Sequence, residues 1–344
     1  MYDQTKISQL SVCVVILAYG SRTENLRRVL SAVLDIGVGH IIVVANAVTF
    51  ETHQMLNNFS KTYPDCIEIL TSYENIGSAG GYALGLRAAF KTSYDFFWLL
   101  DDDNLPQKNA LMGLINAFSF HTEKIKKDGF LLLSFRKSLP EMMYYIHSKS
   151  QIIYPRPASF IGFHIFNIWK DFLLFIQTKK KPDTAFTDHH KNNISLNFAP
   201  YGGLFFHRDA VKILGLPNPL FFLYSDDLAY TLNFTLKGGS LFLVPDSCIN
   251  DIEPPWNATT SKTFNISRRL KVMTAEKTYY EVRNRVYLGR TMFPGHPLIY
   301  LLNKWLYITI LGNFALYYRS WKRFKLILRA VTDGEKGRLG KRIF

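Results

Sequence analysis

The segment that most limits how this chain can fold is Tyr94-Asp-Phe-Phe-Trp-Leu-Leu-Asp101-Asp102-Asp103-Asn104. An aromatic and aliphatic run stops there at three consecutive carboxylates. The run is short and followed by a turn, which predicts a buried strand. Such a strand delivers its acids to the carboxyl edge of a sheet, where open α/β sheets take their ligands. Adjacent like charges raise one another's pKa unless a cation neutralises them. Mg2+ or Mn2+ suits that task, since both prefer carboxylate oxygens together with those of a bound phosphate. One reading of the triplet is therefore a metal–diphosphate site. The other is a solvated loop in which Asp103 or Asn104 caps a helix that has Pro106 in its first turn. The triplet alone does not separate the two.

The residues before it alternate between strand and helix. Residues 12–18 predict a buried first strand, and Tyr19-Gly-Ser-Arg22 a turn. Thr23 is expected to cap a helix over residues 24–35, with Leu26, Val29, Leu30 and Val33 as its apolar stripe. Residues 40–46 predict a second strand, 52–63 a second helix and 66–70 a third strand. This order predicts an α/β fold, with a mainly parallel central sheet and helices on both faces.

Glu74-Asn75-Ile-Gly77-Ser-Ala-Gly80-Gly81 comes one helix before the acidic edge. Glycines in a turn let the backbone approach a ligand, and the helix that follows offers N–H groups to an anion. The spacing is neither a dinucleotide-binding fingerprint nor a P-loop. A tight helix entry packed on the sheet would use the same residues.

In order, a buried strand, Asn75-x-Gly77-x-x-Gly80-Gly81 and Asp101-Asp102-Asp103 resemble family 2 glycosyltransferases with the GT-A fold. The match is closest to their galactofuranosyl- and rhamnosyltransferase branches. The resemblance implies a nucleotide-sugar bordered by the first strand's turn and the glycine loop. Tyr19, Arg22, Asn46, Asn75, Gly77, Gly80 and Gly81 are then donor-binding candidates. Asn46 falls where the family often has an acid facing the base. The triplet resembles the family's DxD element. Asp101 and Asp103 are thus implied as ligands of Mn2+ or Mg2+, and Asp101 and Asp102 as donor contacts.

A second acidic pair follows later. Phe198-Ala-Pro-Tyr201-Gly202-Gly203 leads through an aromatic run to Tyr224-Ser225-Asp226-Asp227, which opens an apparent helix. The helix dipole alone would favour acids there. Glycosyl transfer also needs a base for the acceptor hydroxyl, on the face opposite the leaving diphosphate. The resemblance implies Asp227 as that base, with Asp226 beside it and Gly203 near the donor. Ala229 and Asn233 stand where relatives carry a further acid and an Arg. Six residues past Pro245, where many relatives have a metal-binding His, this chain has Asp251. It is read either as a third metal contact or as an ordinary loop carboxylate. Trp256 is a candidate to stack on the acceptor sugar or to cover the core. Tyr279-Tyr280-Glu-Val-Arg283-Asn284-Arg285 resembles a family segment after the catalytic domain, with Arg283 and Arg285 as candidate phosphate contacts.

These motifs predict a GT-A catalytic domain over residues 1–260, with an insertion at 116–193 that carries Lys179-Lys180-Lys181 and His189-His190. A basic helical region at 261–344 follows. Its aromatic and basic residues, among them Trp305, Tyr317, Tyr318, Arg319, Trp321, Lys322 and Lys325, predict interfacial helices on an anionic membrane or helices packed on the catalytic domain or a second subunit. The formal charge of +14 also favours anionic partners, and no nucleic-acid motif accompanies it. Three widely spaced cysteines suggest a reducing compartment. No apolar run reaches the roughly 20 residues of a membrane span, and residues 305–318 come nearest. The expected place is cytoplasmic, peripheral on the inner face of the cell membrane.

The function these readings predict is inverting, metal-dependent transfer of a sugar from a nucleotide-sugar donor. The resemblance implies a lipid-linked saccharide acceptor in bacterial O-antigen or capsule assembly. It favours UDP-galactofuranose as donor, with dTDP-rhamnose second. A nucleotidyltransferase would explain the first acidic edge but not the second pair. A non-catalytic basic membrane- or nucleic-acid-binding protein would explain the charge, but the basic residues concentrate late in the chain and no nucleic-acid motif appears.

Overall fold

The structure is a computed structural model that describes residues 11–139, 142, 156–167, 194–253, 265–271 and 273–343. The chain divides into two units. The first comprises Met1–Ile152, His190–Phe222 and Asp226–Thr259, and the second Ile153–His189, Leu223–Ser225 and Thr260–Phe344.

The first unit opens with β1 (Val12–Gly20), α1 (Thr23–Ile36), β2 (His40–Val48), α2 (Phe50–Thr62), β3 (Ile67–Ser72), α3 (Gly77–Lys91) and β4 (Phe96–Asp101). It continues with β5 (Asn104–Pro106), α4 (Ala110–Thr122), β6 (Phe130–Arg136), β7 (Ile194–Leu196), β8 (Leu204–His207), α5 (Val211–Leu214), α6 (Asp226–Leu236) and β9 (Ser240–Asp251). The strands form one sheet in the order β3-β2-β1-β4-β8-β6-β9-β5, with β7 also on β9. Parallel pairing joins β3, β2, β1 and β4, and joins β6 to β9. β8 enters antiparallel between β4 and β6, and β5 and β7 are antiparallel to β9. The sheet is thus mixed, with most of its ladder parallel. Its strands are apolar on both sides because helices cover both faces. Val14, Ile16, Val43, Trp98 and Leu100 pack to one side, and Cys13, Val15, Val44, Phe97 and Leu99 to the other.

Local details correct several expectations. Thr23 does not cap α1; its hydroxyl hydrogen-bonds Thr52 Oγ1 at 2.7 Å inside the first turn. α2 begins at Phe50 and is capped by Thr49, whose hydroxyl accepts from the Thr52 N–H. Asn104 and Pro106 do not open a helix. They form β5, which pairs Asn104 with Asp251, and the next helix starts at Ala110. Pro106 fits this edge strand because it has no N–H to give a ladder.

One irregularity positions the site. The β6–β9 register jumps from Ser134 opposite Val244 to Phe135 opposite Cys248. The extra residues, which include Pro245, bulge out of β9. Asp251 is thereby carried along the edge to face Asn104 and Arg136.

In the second unit, α7 (Asn265–Lys271), α8 (Ala275–Met292), α9 (Pro297–Tyr317) and α10 (Trp321–Glu335) follow in order. Arg269 clamps both oxygens of buried Glu281 at 2.7 and 2.6 Å and donates to the Tyr307 hydroxyl. Asn303 of α9 donates to Ala158 O and accepts from the Ile165 N–H. Among the described residues, α9 is the one helix long and apolar enough to cross a membrane, by length and composition alone. The apolar run begins before residue 305, since Leu298, Ile299, Leu301 and Leu302 extend the helix backwards. Leu298, Leu301, Leu302, Trp305 and Leu316 form its exposed face, opposite buried Asn303, Tyr307, Leu311 and Ala315.

Candidate active site

The site is assembled at the carboxyl edge of β1, β2 and β4. β4 brings Asp101, Asp102 and Asp103 out of the core, and their environments differ. Asp101 accepts a hydrogen bond on Oδ1 from the Tyr82 hydroxyl at 2.7 Å, and its N–H donates to Asn104 Oδ1. Asp102 turns inward and is 2% exposed. It accepts from the Tyr19 N–H at 3.0 Å and from Arg22 Nη1 at 2.9 Å. Burial pushes its pKa up to about 6, against the pull of Arg22 and the Tyr19 amide. Asp103 lies 4.0 Å from Arg22 Nη1 and accepts from Asn104 Nδ2. Burial, with Asp101 and Asp102 beside it, raises its pKa to about 7. Arg22 also pairs with Glu253 at 2.8 Å, so one guanidinium spans three acids.

The glycine loop enters next to this edge. Buried Asn46, at the end of β2, accepts from the Ile76 N–H at 2.9 Å and donates to Asn75 Oδ1 and Gly77 O. Asn75 in turn accepts from the Gly77 N–H. Gly77 has φ +73, and a Cβ there would run into the Phe222 carbonyl. Gly80 lies against Ile76 and Gly81 against Leu17, which lets α3 approach β1. Ser78 donates to Asp226 Oδ2 at 2.7 Å.

The second acidic pair begins α6. The preceding turn holds Phe222, Tyr224 and Ser225 at positive φ, a costly conformation for residues with side chains. Asp226 is buried, and Asp227 is half-buried with its Oδ1 accepting from the Leu228 N–H. Burial and the charge of Asp227 push the Asp226 carboxyl well above the usual range, and Asp101 adds to the rise. Tyr201 links the two clusters. Its ring packs at a tilt on Tyr82, centroids 4.3 Å apart, and its buried hydroxyl has no hydrogen-bond partner among the described residues. Burial and the charges of Asp226 and Asp227 raise its pKa. Gly202 follows, and a Cβ there would lie 2.7 Å from Asp101 Oδ2 and 2.8 Å from Arg136 Nη1. Gly203 ties the strands by donating to Leu99 O and accepting from the Ser134 N–H.

The structure thus brings Asp101, Asp103, Asp226 and Asp227 into one neighbourhood of the first unit, with Tyr19, Arg22 and the glycine loop around it. Asp251 is there too, but ion-paired to buried Arg136 at 2.6 Å. Arg283 and Arg285 belong to the second unit. Arg283 is 1% exposed beneath Tyr279 and Tyr280, and Arg285 pairs with Glu281. Trp256 lies outside the described residues. Sequence reasoning missed Ser78, Tyr82, Asn104, Arg136 and Tyr201. Arg136 had a signal: like Asp101, it is a charge that closes an apolar run.

Among the described residues, no group of three or more His, Cys, Asp or Glu side chains is disposed to hold a metal ion. A hard cation that already carries diphosphate oxygens needs only one or two carboxylates. Asp101, with Oδ2 outside its bond to Tyr82, and Asp103 fit that smaller set.

Residues 13–132 match the family described as Glycosyl transferase family 2. Galactofuranosyltransferase GlfT1 of Mycolicibacterium smegmatis is 31% identical over 116 residues, which span 33% of this chain and 36% of that protein. The chain therefore matches little more than a third of that relative's length. The crystal structure of GalNAc-T7 with UDP, GalNAc and Mn2+ superposes with a TM-score of 0.53 at 12% identity, covering 88% of this chain and 55% of that one. At that identity the likeness is one of fold, and the fold is the GT-A type of glycosyltransferases. β1, the glycine loop and the acidic edge of β4 all lie inside the segment that matches the glycosyl transferase family 2 model.

Proposed function

We propose that the protein is an inverting glycosyltransferase that moves a sugar from a nucleotide-sugar donor to a hydroxyl acceptor. The observation that carries this reading is the shared neighbourhood of the two acidic clusters, joined through Tyr82 and Tyr201. Arg22, beside the acidic edge, meets the donor's diphosphate, while Tyr19 and the Asn46–Asn75 loop shape the nucleoside end. Asp101 and Asp103 hold Mn2+ or Mg2+, which when bound supplies a Lewis acid for charge on the leaving diphosphate.

Asp227 takes the acceptor proton as the hydroxyl oxygen forms its bond to the anomeric carbon. The bond from that carbon to the diphosphate oxygen breaks on the opposite face, so configuration inverts. Asp226, buried and held by Ser78, stays protonated to a higher pH than an ordinary carboxyl. Asp227 is thus the member of the pair left as acceptor of the proton.

Among donors, the identity to GlfT1 supports UDP-galactofuranose over dTDP-rhamnose. The acceptor we propose is a lipid-linked saccharide of bacterial surface-polysaccharide assembly. The exposed face of α9, with Trp305 at its middle and Trp321 and Lys322 exposed nearby on α10, supports an anionic membrane surface as its setting.

The test is a thermal-shift series with UDP-galactofuranose, dTDP-rhamnose and other nucleotide-sugars, with and without Mn2+. The melting temperature should rise most for a UDP-sugar, and more with the metal. Turnover of nucleoside triphosphate with no sugar transfer would instead favour a nucleotidyltransferase.

A further inference from the structure

Arg136 is the last residue of β6, and its side chain is 9% exposed. Nε and Nη2 both donate to Asp251 Oδ1, at 2.8 and 2.6 Å. Asp251, with a side chain 1% exposed, also accepts from Asn104 Nδ2 on that oxygen, and from the Ser138 hydroxyl on Oδ2. Both its oxygens are therefore engaged, and the donors around it come from β5, β6 and the turn after β6. The remaining edge of the guanidinium points the other way. Nη1 lies 3.5 Å from Gly202 O, and a Cβ on Gly202 would lie 2.8 Å from Nη1 and 2.7 Å from Asp101 Oδ2. Burial works against the charge of Arg136, but Asp251, Asp101 and Asp103 outweigh it and leave the guanidinium more firmly protonated than usual. A fixed cation thus stands between Asp251 and the carboxylates assigned to the metal.

We propose that Asp251 is a positioning residue for Arg136 rather than a metal ligand, and that Arg136 is a permanent counter-charge that limits how tightly Asp101 and Asp103 hold a divalent cation. The proposal rests on the metal–diphosphate reading of the triplet. It has a physical consequence that simple ligation lacks. Removing Asp251 alone frees a buried positive charge beside the cation. Removing Arg136 alone leaves an extra negative charge there. Removing both restores the original balance.

The experiment titrates Mn2+ into the full chain with saturating UDP and reads free Mn2+ by its electron paramagnetic resonance signal. Arg136→Gln should tighten Mn2+ binding, and Asp251→Asn should weaken it, each by about tenfold. The double variant should return to within about threefold of wild type, because the two charges cancel. A double variant that stays as weak as Asp251→Asn, with Arg136→Gln unchanged, would show Asp251 to be a ligand and overturn the proposal. Should Asp251→Asn fail to fold with its Arg unpaired, Arg136→Gln and the double variant still decide the question. Wild-type protein that takes up no Mn2+ with UDP would sink the metal–diphosphate reading and this proposal together. Wild-type binding that the double variant loses sinks this proposal alone.

Discussion

The two acidic clusters of the first unit are built from the same residue type and behave as different chemical devices. The Asp101–Asp103 edge is threaded with cations: Arg22 spans Asp102, Asp103 and Glu253, and Arg136 sits between Asp251 and the triplet. Asp226 instead has a serine hydroxyl, a helix N-terminus and the negative fields of Asp227 and Asp101 around it. The guanidinium groups offset part of the rise that burial and neighbouring acids give Asp102 and Asp103, and a further cation would favour their ionised form. Asp226, buried beside a second carboxyl, holds its proton above the usual carboxylate range. On the proposed reading the first cluster handles charge and the second the proton, and each prediction below can break that comparison.

The largest effect belongs to Asp227→Asn. Loss of a general base should lower transfer by about a thousandfold while donor affinity changes little. A turnover assay beside a donor-binding titration checks this, and ordinary turnover would remove Asp227 from the mechanism.

Next comes Gly202→Ala, which touches only the first cluster. Its methyl would collide with Asn104 and crowd Asp101 and Arg136. We expect about 2 kcal/mol of lost stability in urea unfolding and weaker Mn2+–UDP binding. Unchanged values on both counts would mean that the cluster is looser than the structure has it.

Asp226→Asn tests the second cluster by pH. Burial and Asp227 raise the Asp226 pKa, to about 8. A carboxyl raised on folding contributes stability that is complete below its unfolded pKa and is lost as pH rises through the folded one. The Asn variant should therefore match wild type near pH 4 and become more stable than it as pH climbs, by about 1 kcal/mol or more above pH 8. Parallel melting curves across that range would contradict the assignment.

The smallest change is Ser78→Ala, which removes the hydroxyl that Asp226 accepts from. Loss of that bond should cost about 1 kcal/mol and push the Asp226 pKa still higher. A stability–pH profile shifted upward checks this.

Much of the fold was legible beforehand. Apolar runs at 12–18 and 40–46 and the run ending at Asp101 had to be buried strands, and their alternation with amphipathic helices left a parallel sheet as the simple solution. Caps were less legible, because hydroxyl residues compete: Thr49 took the role at α2, while Thr23 and Thr52 bonded each other. The antiparallel insertion of β8 between β4 and β6 was not legible, since it depends on residues far apart in the chain.

Local sequence determined which charges and glycines stand at the carboxyl edge of the sheet. Charges at the ends of apolar runs and glycines before a helix mark ligand-facing positions, because burying them unpaired is too costly. Only the tertiary structure decided what each charge would face. The bulge in β9 turned Asp251 toward Arg136, and the packing of Tyr82 on Tyr201 joined Asp101 to Asp226 and Asp227. Those pairings join residues roughly a hundred positions or more apart, and no local pattern encodes an electrostatic partner at that distance.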